Sequence, residues 1–571
     1  MKKTLQGMGV VLAALACSAA LGATIYVDPV NAGAVDSGAG DALHPYRTLK
    51  YAMTQMKPGD TLNIGSGVYR ESMVFPGITW GALPAMIQPM GNGPVLIKGS
   101  DIVTGWAALG GGLFVRNGWT VNSQQVFLNG VALKQIAGKI WTSDPWIWPG
   151  RVAGGLAEMT DNSFFYDIAG QNLYIKAPLT SLDGNTVEVS VRGKVIDATN
   201  VHNVTIRNLK IQHSNITTTA QNAAVTFWRC NGNLLEGLEV TETDGAGFDI
   251  TGDDNVLRNN KANFNGQIGM KVRGKRALLE GNETNYNNTR GFQEWWEAGG
   301  AKFAGEGGLI DSTVRRHVAV GNKGDGIWFD WFNVNNRVYE NIAAYNDHMG
   351  IQYEASQQGY IYNNYAFGNG LRGIYLPHSS SSVVAFNMVA KNGYEGIAIV
   401  DEGRNPDDLR LRPTGNLVYG NIAGWNGRSA VVLPLELADN RSDYNLFLGV
   451  SQPTFALGWP STTSPLRTGL DAWRTASGQD LHSWFQAFDI PSALATAFEQ
   501  KNPYADWSPV LSVAAAYSLP PLSDILPTHT KPGPSLQLAA SSGDTGGSTG
   551  GTGGDTGGSS KPGNGRGKKS K

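Results

Sequence analysis

From Gly247 to Ile399 the chain repeats one short pattern: a glycine, an apolar residue, a variable position and a second apolar residue. The units are GFDI (Gly247), GMKV (Gly269), GAKF (Gly300), GIWF (Gly326), GIQY (Gly350), GIYL (Gly373) and GIAI (Gly396), at intervals of 22, 31, 26, 24, 23 and 23 residues. Between them runs a second apolar stretch that ends in asparagine: Asn260, Asn282, Asn341, Asn364, Asn387 and Asn421. Apolar positions alternate with period two, which predicts short strands and excludes helical repeats. Strands recurring every two dozen residues predict a stacked architecture, with each unit one coil of a parallel β-helix. Equivalent positions then stack about 4.8 Å apart. The asparagine column is expected to be an internal ladder in which each amide bonds the next, a structural role.

The remaining segments divide around this array. Residues 1–23 carry Lys2 and Lys3, then an apolar run ending in small residues, the pattern of a secretory signal peptide cut near Gly22 or Ala23. The run is too short for a membrane span. Residues 24–110 show a strand, a short amphipathic helix near Leu49 to Met56, a turn and a further strand, expected to form an N-terminal cap and the first coils. Residues 111–450 are assigned to the β-helix, 451–535 to C-terminal coils and a cap, and 536–571, rich in Gly, Ser and Thr, to a disordered tail. The expected class is all-β, a right-handed solenoid.

Composition changes the picture in two places. The net charge of -2 over 571 residues gives no sign of a nucleic-acid partner. Beyond the leader only Cys230 remains, so no disulfide framework holds the fold and the thiol is expected to be a buried apolar filler.

Stacking turns the sequence into a map of one face. The variable position of each unit reads Asp249, Lys271, Lys302, Trp328, Gln352, Tyr375, Ala398; two residues on, it reads Thr251, Arg273, Ala304, Asp330, Glu354, Pro377, Val400. Both columns point away from the core. A solvated sheet face carries Thr, Ser and scattered charge, whereas this one joins cations, carboxylates and aromatics, the mixture that suits sugar rings. Asp330 and Glu354 share a column on adjacent coils. Two carboxylates so close drive their pKa values apart, leaving a general acid and an ionised partner. Separations of roughly 5–5.5 Å belong to retaining glycosidases, so the coil spacing favours retention. Asp330 and Glu354 are the candidate catalytic pair. Lys302, Glu297, Trp328, Trp331, Gln352, Tyr375, His378, Lys271, Arg273 and Trp296 are candidate substrate contacts. The 31-residue interval holds ETNYNNTRGFQEWWEAG, a loop expected to wall the site with Glu294, Trp295, Trp296 and Glu297.

GIWFDW followed one coil later by QYEAS resembles the nucleophile and acid/base segments of the parallel β-helix β-xylosidases of glycoside hydrolase family 120. EAGGAKF (Glu297 to Phe303) looks like that family's Ala-Gly-Gly-x-Lys strand. The resemblance implies that Asp330 is the nucleophile and Glu354 the acid/base, with Lys302 one coil below holding Asp330 ionised or binding a hydroxyl. After Glu354 this chain has Ala-Ser-Gln-Gln-Gly in place of a His-Gly-Pro-like turn, a departure on the leaving-group side. The expected function is a secreted or periplasmic glycoside hydrolase acting on a poly- or oligosaccharide, with no cofactor. Two alternatives stay open. One is a polysaccharide lyase using Lys271, Arg273 or Lys302 as base, with Ca2+ held near Asp249, Glu294 and Glu297. The other is a surface protein that binds glycans without cutting them. The carboxylate pair tells against both, because Asp330 above Lys302 would repel a uronate and binding alone gains nothing from two carboxylates.

Overall fold

The computed structural model describes residues 22–139, 144–215, 223–305, 307–405, 407–434, 439–458 and 466–535. The expected signal peptide up to residue 21 and the expected tail from 536 lie outside the described residues. The chain is a right-handed parallel β-helix built from three sheets. A 13-stranded sheet runs from Thr24–Val27 to Arg441–Asp443, and a 14-stranded sheet contains every Gly-apolar-x-apolar strand. The third sheet has runs of five and seven strands, linked through a bridge at Glu283. The apolar positions of the repeat, among them Phe248, Met270, Ile327, Phe329, Tyr353 and Ile374, fill one continuous core.

The asparagine ladder forms as the sequence requires. Asn341 Nδ2 donates to Asn364 Oδ1 (2.9 Å), Asn364 to Asn387 (3.0 Å) and Asn387 to Asn421 (3.0 Å), while each backbone N–H donates to the same oxygen above it. A second ladder through Asn265, Asn287, Asn322, Asn346, Asn369 and Asn392 runs at another corner. His317 interrupts the first ladder. Its backbone N–H donates to Asn341, and burial holds its ring well below the usual histidine range, at about 3.

Helix Leu49–Gln55, capped by Thr48, buries Leu49, Ala52 and Met53 at the N-terminal end. Helix Leu470–Ser477 closes the other end, with Trp473 stacked on Phe455. Cys230 is buried in the core. Among the described residues no helix is long and apolar enough to cross a membrane.

The first coils lie in residues 24–110, but the stack is not continuous through 111–450. Coils are already wound from Thr24, and the stack is then interrupted between strands Val95–Lys98 and Ile196–Thr199. The intervening residues form a four-stranded and a five-stranded sheet, in which all but one pairing is antiparallel. This insertion has its own core of Val126, Phe164, Leu173 and Val189. Its pairing is mostly antiparallel, as in the hairpin through Gly110–Gly112, so no coil is wound there.

Candidate active site

The two outward columns exist in the predicted register. Lys271 pairs with Lys302, Lys302 with Trp328, Trp328 with Gln352, and Gln352 with Tyr375; Thr251 pairs with Arg273, and Asp330 with Glu354. The face is not the exposed aromatic strip that the pattern suggests. Lys302, Trp328, Gln352, Tyr375 and Glu354 are all buried, because loops from both flanks fold over them.

One flank is the 31-residue coil. Its short helix Glu294–Glu297 lies beside the strand Gly299–Phe303, and Phe292 below it stacks on Trp148 from the antiparallel insertion. Lys302 Nζ donates to the Trp296 carbonyl (2.5 Å), pairs with Asp330 Oδ2 (3.1 Å) and lies 3.3 Å from the centre of the Trp328 ring. These three contacts fix the Lys302 side chain between the flanking loop and the carboxylate pair.

The other flank was not foreseen. Asn387 and Asn421 are ladder neighbours 34 residues apart, and the excess forms a loop after the strand Ile397–Val400. Arg404 on this loop reaches back to Glu354 Oε1 (2.6 Å) and lies 5.6 Å from the Trp331 ring centre. Glu354 Oε2 accepts from Trp328 Nε1 (3.0 Å) and Gln352 Nε2 (2.7 Å). Both oxygens of Glu354 thus act as acceptors, toward three donors. The long ladder interval was the sequence signal that could have drawn attention to Arg404.

Trp331 owes its position to one added residue. Asp330 and Glu354 are 24 residues apart, but the next bonded pair, Asn333 and Ser356, only 23. The surplus is taken up at Trp331 and Phe332, both in the left-handed region (φ 68° and 65°), which is unusual for two bulky residues in succession. Trp331 is put out to solvent, 41% exposed, beside the carboxylate pair.

Burial raises the Asp330 pKa above the usual aspartate range; Lys302 opposes this and Glu354 reinforces it. Asp325, fully buried at the start of the same strand, is pushed up to about 6 by burial, while His348 and Lys302 pull the other way. His348 Nε2 meets Glu294 Oε2 at 2.7 Å. Burial pulls that ring down, but Glu294 and Asp325 outweigh it and leave the pKa raised. Asp325 and His348 were also missed, since neither belongs to an outward column.

Several expected contacts are corrected. His378 is fully buried. Its Nδ1 faces the Leu411 carbonyl (3.2 Å) and its Nε2 accepts from the Glu402 N–H (3.3 Å), so it anchors the Arg404 loop and is closed to a sugar. Tyr375 donates its hydroxyl to Glu402 on that loop and is likewise covered. Lys271 pairs with Glu297 (3.0 Å) and Arg273 with Asp249 (3.1 Å). The three carboxylates expected to gather around Ca2+ in a lyase are therefore dispersed: Asp249 on Arg273, Glu294 on His348 and Glu297 on Lys271. Among the described residues no group of three His, Cys, Asp or Glu side chains converges as metal ligands would.

Two family patterns match parts of the chain: "Right handed beta helix region" over residues 157–306 and "Periplasmic copper-binding protein (NosD)" over residues 295–426. The second invites a test for copper, and the residues do not fit. Within that span the histidines are His317, His348 and His378, and each is engaged separately, with Thr284, Glu294 and Leu411. No curated protein matches the chain. Among solved structures it is similar to XylC in complex with xylose (14% identity, 74% of this chain and 75% of that one, TM-score 0.47). It is also similar to a structure titled "Glycoside hydrolase" (12%, 74% and 96%, 0.47) and to the periplasmic alginate epimerase AlgG (13%, 67% and 76%, 0.39).

Proposed function

We propose that the protein is an exported, carbohydrate-active enzyme, a glycoside hydrolase that cuts a poly- or oligosaccharide at the Asp330–Glu354 pair with retention of configuration. The observation that carries this reading is the register pairing of two carboxylates on adjacent strands beside an outturned tryptophan. Strand spacing of about 4.8 Å is close to the separation a covalent glycosyl intermediate requires. Trp331 offers an apolar plane for a sugar ring. Export rests on the leader-like residues 1–23.

The roles follow from the proton balance and run opposite to those the xylosidase resemblance implies. Asp330, whose pKa is raised by burial, is assigned the general acid. Glu354, accepting from Arg404, Trp328 and Gln352, is the nucleophile. In the first step a Glu354 oxygen bonds to the anomeric carbon, and the glycosidic oxygen leaves with the proton of Asp330. In the second, water gives a proton back to Asp330 and its oxygen displaces Glu354. Azide rescue tests the assignment. Asp330→Gly with azide should give a glycosyl azide of retained configuration and Glu354→Gly one of inverted configuration; the reverse pattern would restore the roles implied by the resemblance.

A second reading, a lyase acting on a uronate polymer, draws support from the cations Lys302 and Arg404, which flank the site and would neutralise a substrate carboxylate. Against it, Lys302 is held by the Trp296 carbonyl, Asp330 and the Trp328 ring, and Asp330 beside it would repel a substrate carboxylate. Following both new reducing ends and the ultraviolet absorbance of an unsaturated uronate separates the two reactions. Binding without either product would leave the non-catalytic glycan-binding reading.

A further inference from the structure

On the same face, below the carboxylate pair, lies a cavity of about 350 Å³ that contains neither Asp330 nor Glu354. Its wall is Trp228, 38% exposed, with Arg229 and Arg273 at 5.8 and 5.6 Å from the ring centre. Lys275 and Asp253 complete the rim. Two glycines, Gly252 and Gly274, stack in its lining. A Cβ on Gly252 would lie 2.1 Å from the Cys230 carbonyl oxygen, and one on Gly274 1.9 Å from that of Gly252; both sit at positive φ (128° and 143°). No larger residue fits there, so the depression is built into the winding.

The charge of this hollow is unbalanced. Three cations face one carboxylate, and Asp253 already accepts from the Lys275 N–H and from Arg276. Arg273 is matched by Asp249. Among the described residues no carboxylate pairs with Arg229 or Lys275. An indole plane flanked by Arg229 and Arg273, with Lys275 on the rim, suits a ring whose C–H face stacks while an anionic substituent meets guanidinium and ammonium.

The register relates the hollow to the candidate active site. Arg273 follows Lys271 by two residues, as Asp330 follows Trp328, and Lys271, Lys302 and Trp328 are successive partners. Arg273 is therefore two coils below Asp330. Phe227 pairs with Ile250 and Thr251 with Arg273, which sets Trp228 four coils below, roughly 19 Å at the usual strand spacing. A saccharide of a few residues lying along the stack spans that distance.

We propose that the Trp228–Arg229–Lys275 hollow is a distal subsite for an anionic sugar residue, a uronate or a sulfate ester, of the same chain that is cut at Asp330–Glu354. This deepens the proposed function and rests on it only for the continuity of the groove. The test is calorimetric binding to the full chain of three probes: hexagalacturonate, a sulfated carrageenan hexasaccharide and neutral xylohexaose. At least one anionic probe should bind more tightly than xylohexaose. Trp228→Ala should weaken that probe by about tenfold and Arg229→Glu by about fivefold or more, with the circular dichroism of both variants unchanged. Acidification below roughly pH 3.5 should abolish the binding of the uronate but spare that of the sulfate ester, which identifies the anion. Equal binding of the neutral probe, or anionic binding indifferent to both substitutions, overturns the subsite. Turnover that survives Asp330→Asn while Trp228→Ala abolishes binding would sink the hydrolase reading and leave the subsite standing. Turnover lost in Asp330→Asn with binding indifferent to Trp228 would do the opposite.

Discussion

Two columns run up the same stack with the same spacing and opposite consequences. In the ladder through Asn341, Asn364 and Asn387, each amide is both donor and acceptor, so identical residues satisfy one another and the column is closed. In the column through Asp330 and Glu354, two carboxyl groups are neighbours and each is held by side chains outside the pair. Their partners have to come from elsewhere: Lys302 from the coil below, and Arg404 from a loop two coils above Glu354. A parallel stack rewards repetition of amides and penalises repetition of carboxylates. Burial first, and the neighbouring Glu354 after it, raise the Asp330 pKa.

The sharpest way to break the comparison is to make the carboxylate column neutral. Asp330→Asn and Glu354→Gln should each lower turnover by about 10³-fold, measured as reducing ends released, with melting temperature nearly unchanged. A variant that keeps its activity removes the pair from the chemistry.

The converse change should hurt stability and spare chemistry. Asn364→Ala deletes the donor to Asn387 and the acceptor of Asn341 inside the core, at a cost of about 3 kcal/mol in urea unfolding. Residual folded protein should turn over normally.

Asp325 gives a pH-dependent version of the same contrast. Its folded pKa of about 6 lies above the usual 3.8, so the fold prefers the neutral acid. Stability is complete below the lower value and falls as pH rises through the higher one. Asp325→Asn, which still offers an oxygen to the Met349 N–H, should be more stable than the parent by about 2–3 kcal/mol above neutral pH and equal to it in acid. Denaturant melts at the two pH values measure the difference, and equal gains at both would show that the carboxyl is not the cause.

The smallest expected effect sharpens the roles. Lys302→Met removes the cation that pulls the Asp330 pKa down, so that pKa rises further. With Asp330 as the acid, the alkaline limb of the pH–rate profile should move up. Movement of the acid limb would mean that Asp330 works ionised.

The repeat itself determined the winding, the ladder and the pairing of Asp330 with Glu354, because a period of two and a coil length are local properties that translation along the stack copies faithfully. His378 and Tyr375 show where that logic ends. The register placed both correctly, but their burial came from a loop attached two coils past Glu354, and no pattern within their own strands records its return. The antiparallel insertion lies far from Asp330 in sequence, yet through Trp148 it supports the wall that holds Lys302. The raised pKa of Asp330 arises in the same way. A pKa responds to everything within a few ångströms, and at this site those neighbours arrive from segments that only the tertiary structure brings together.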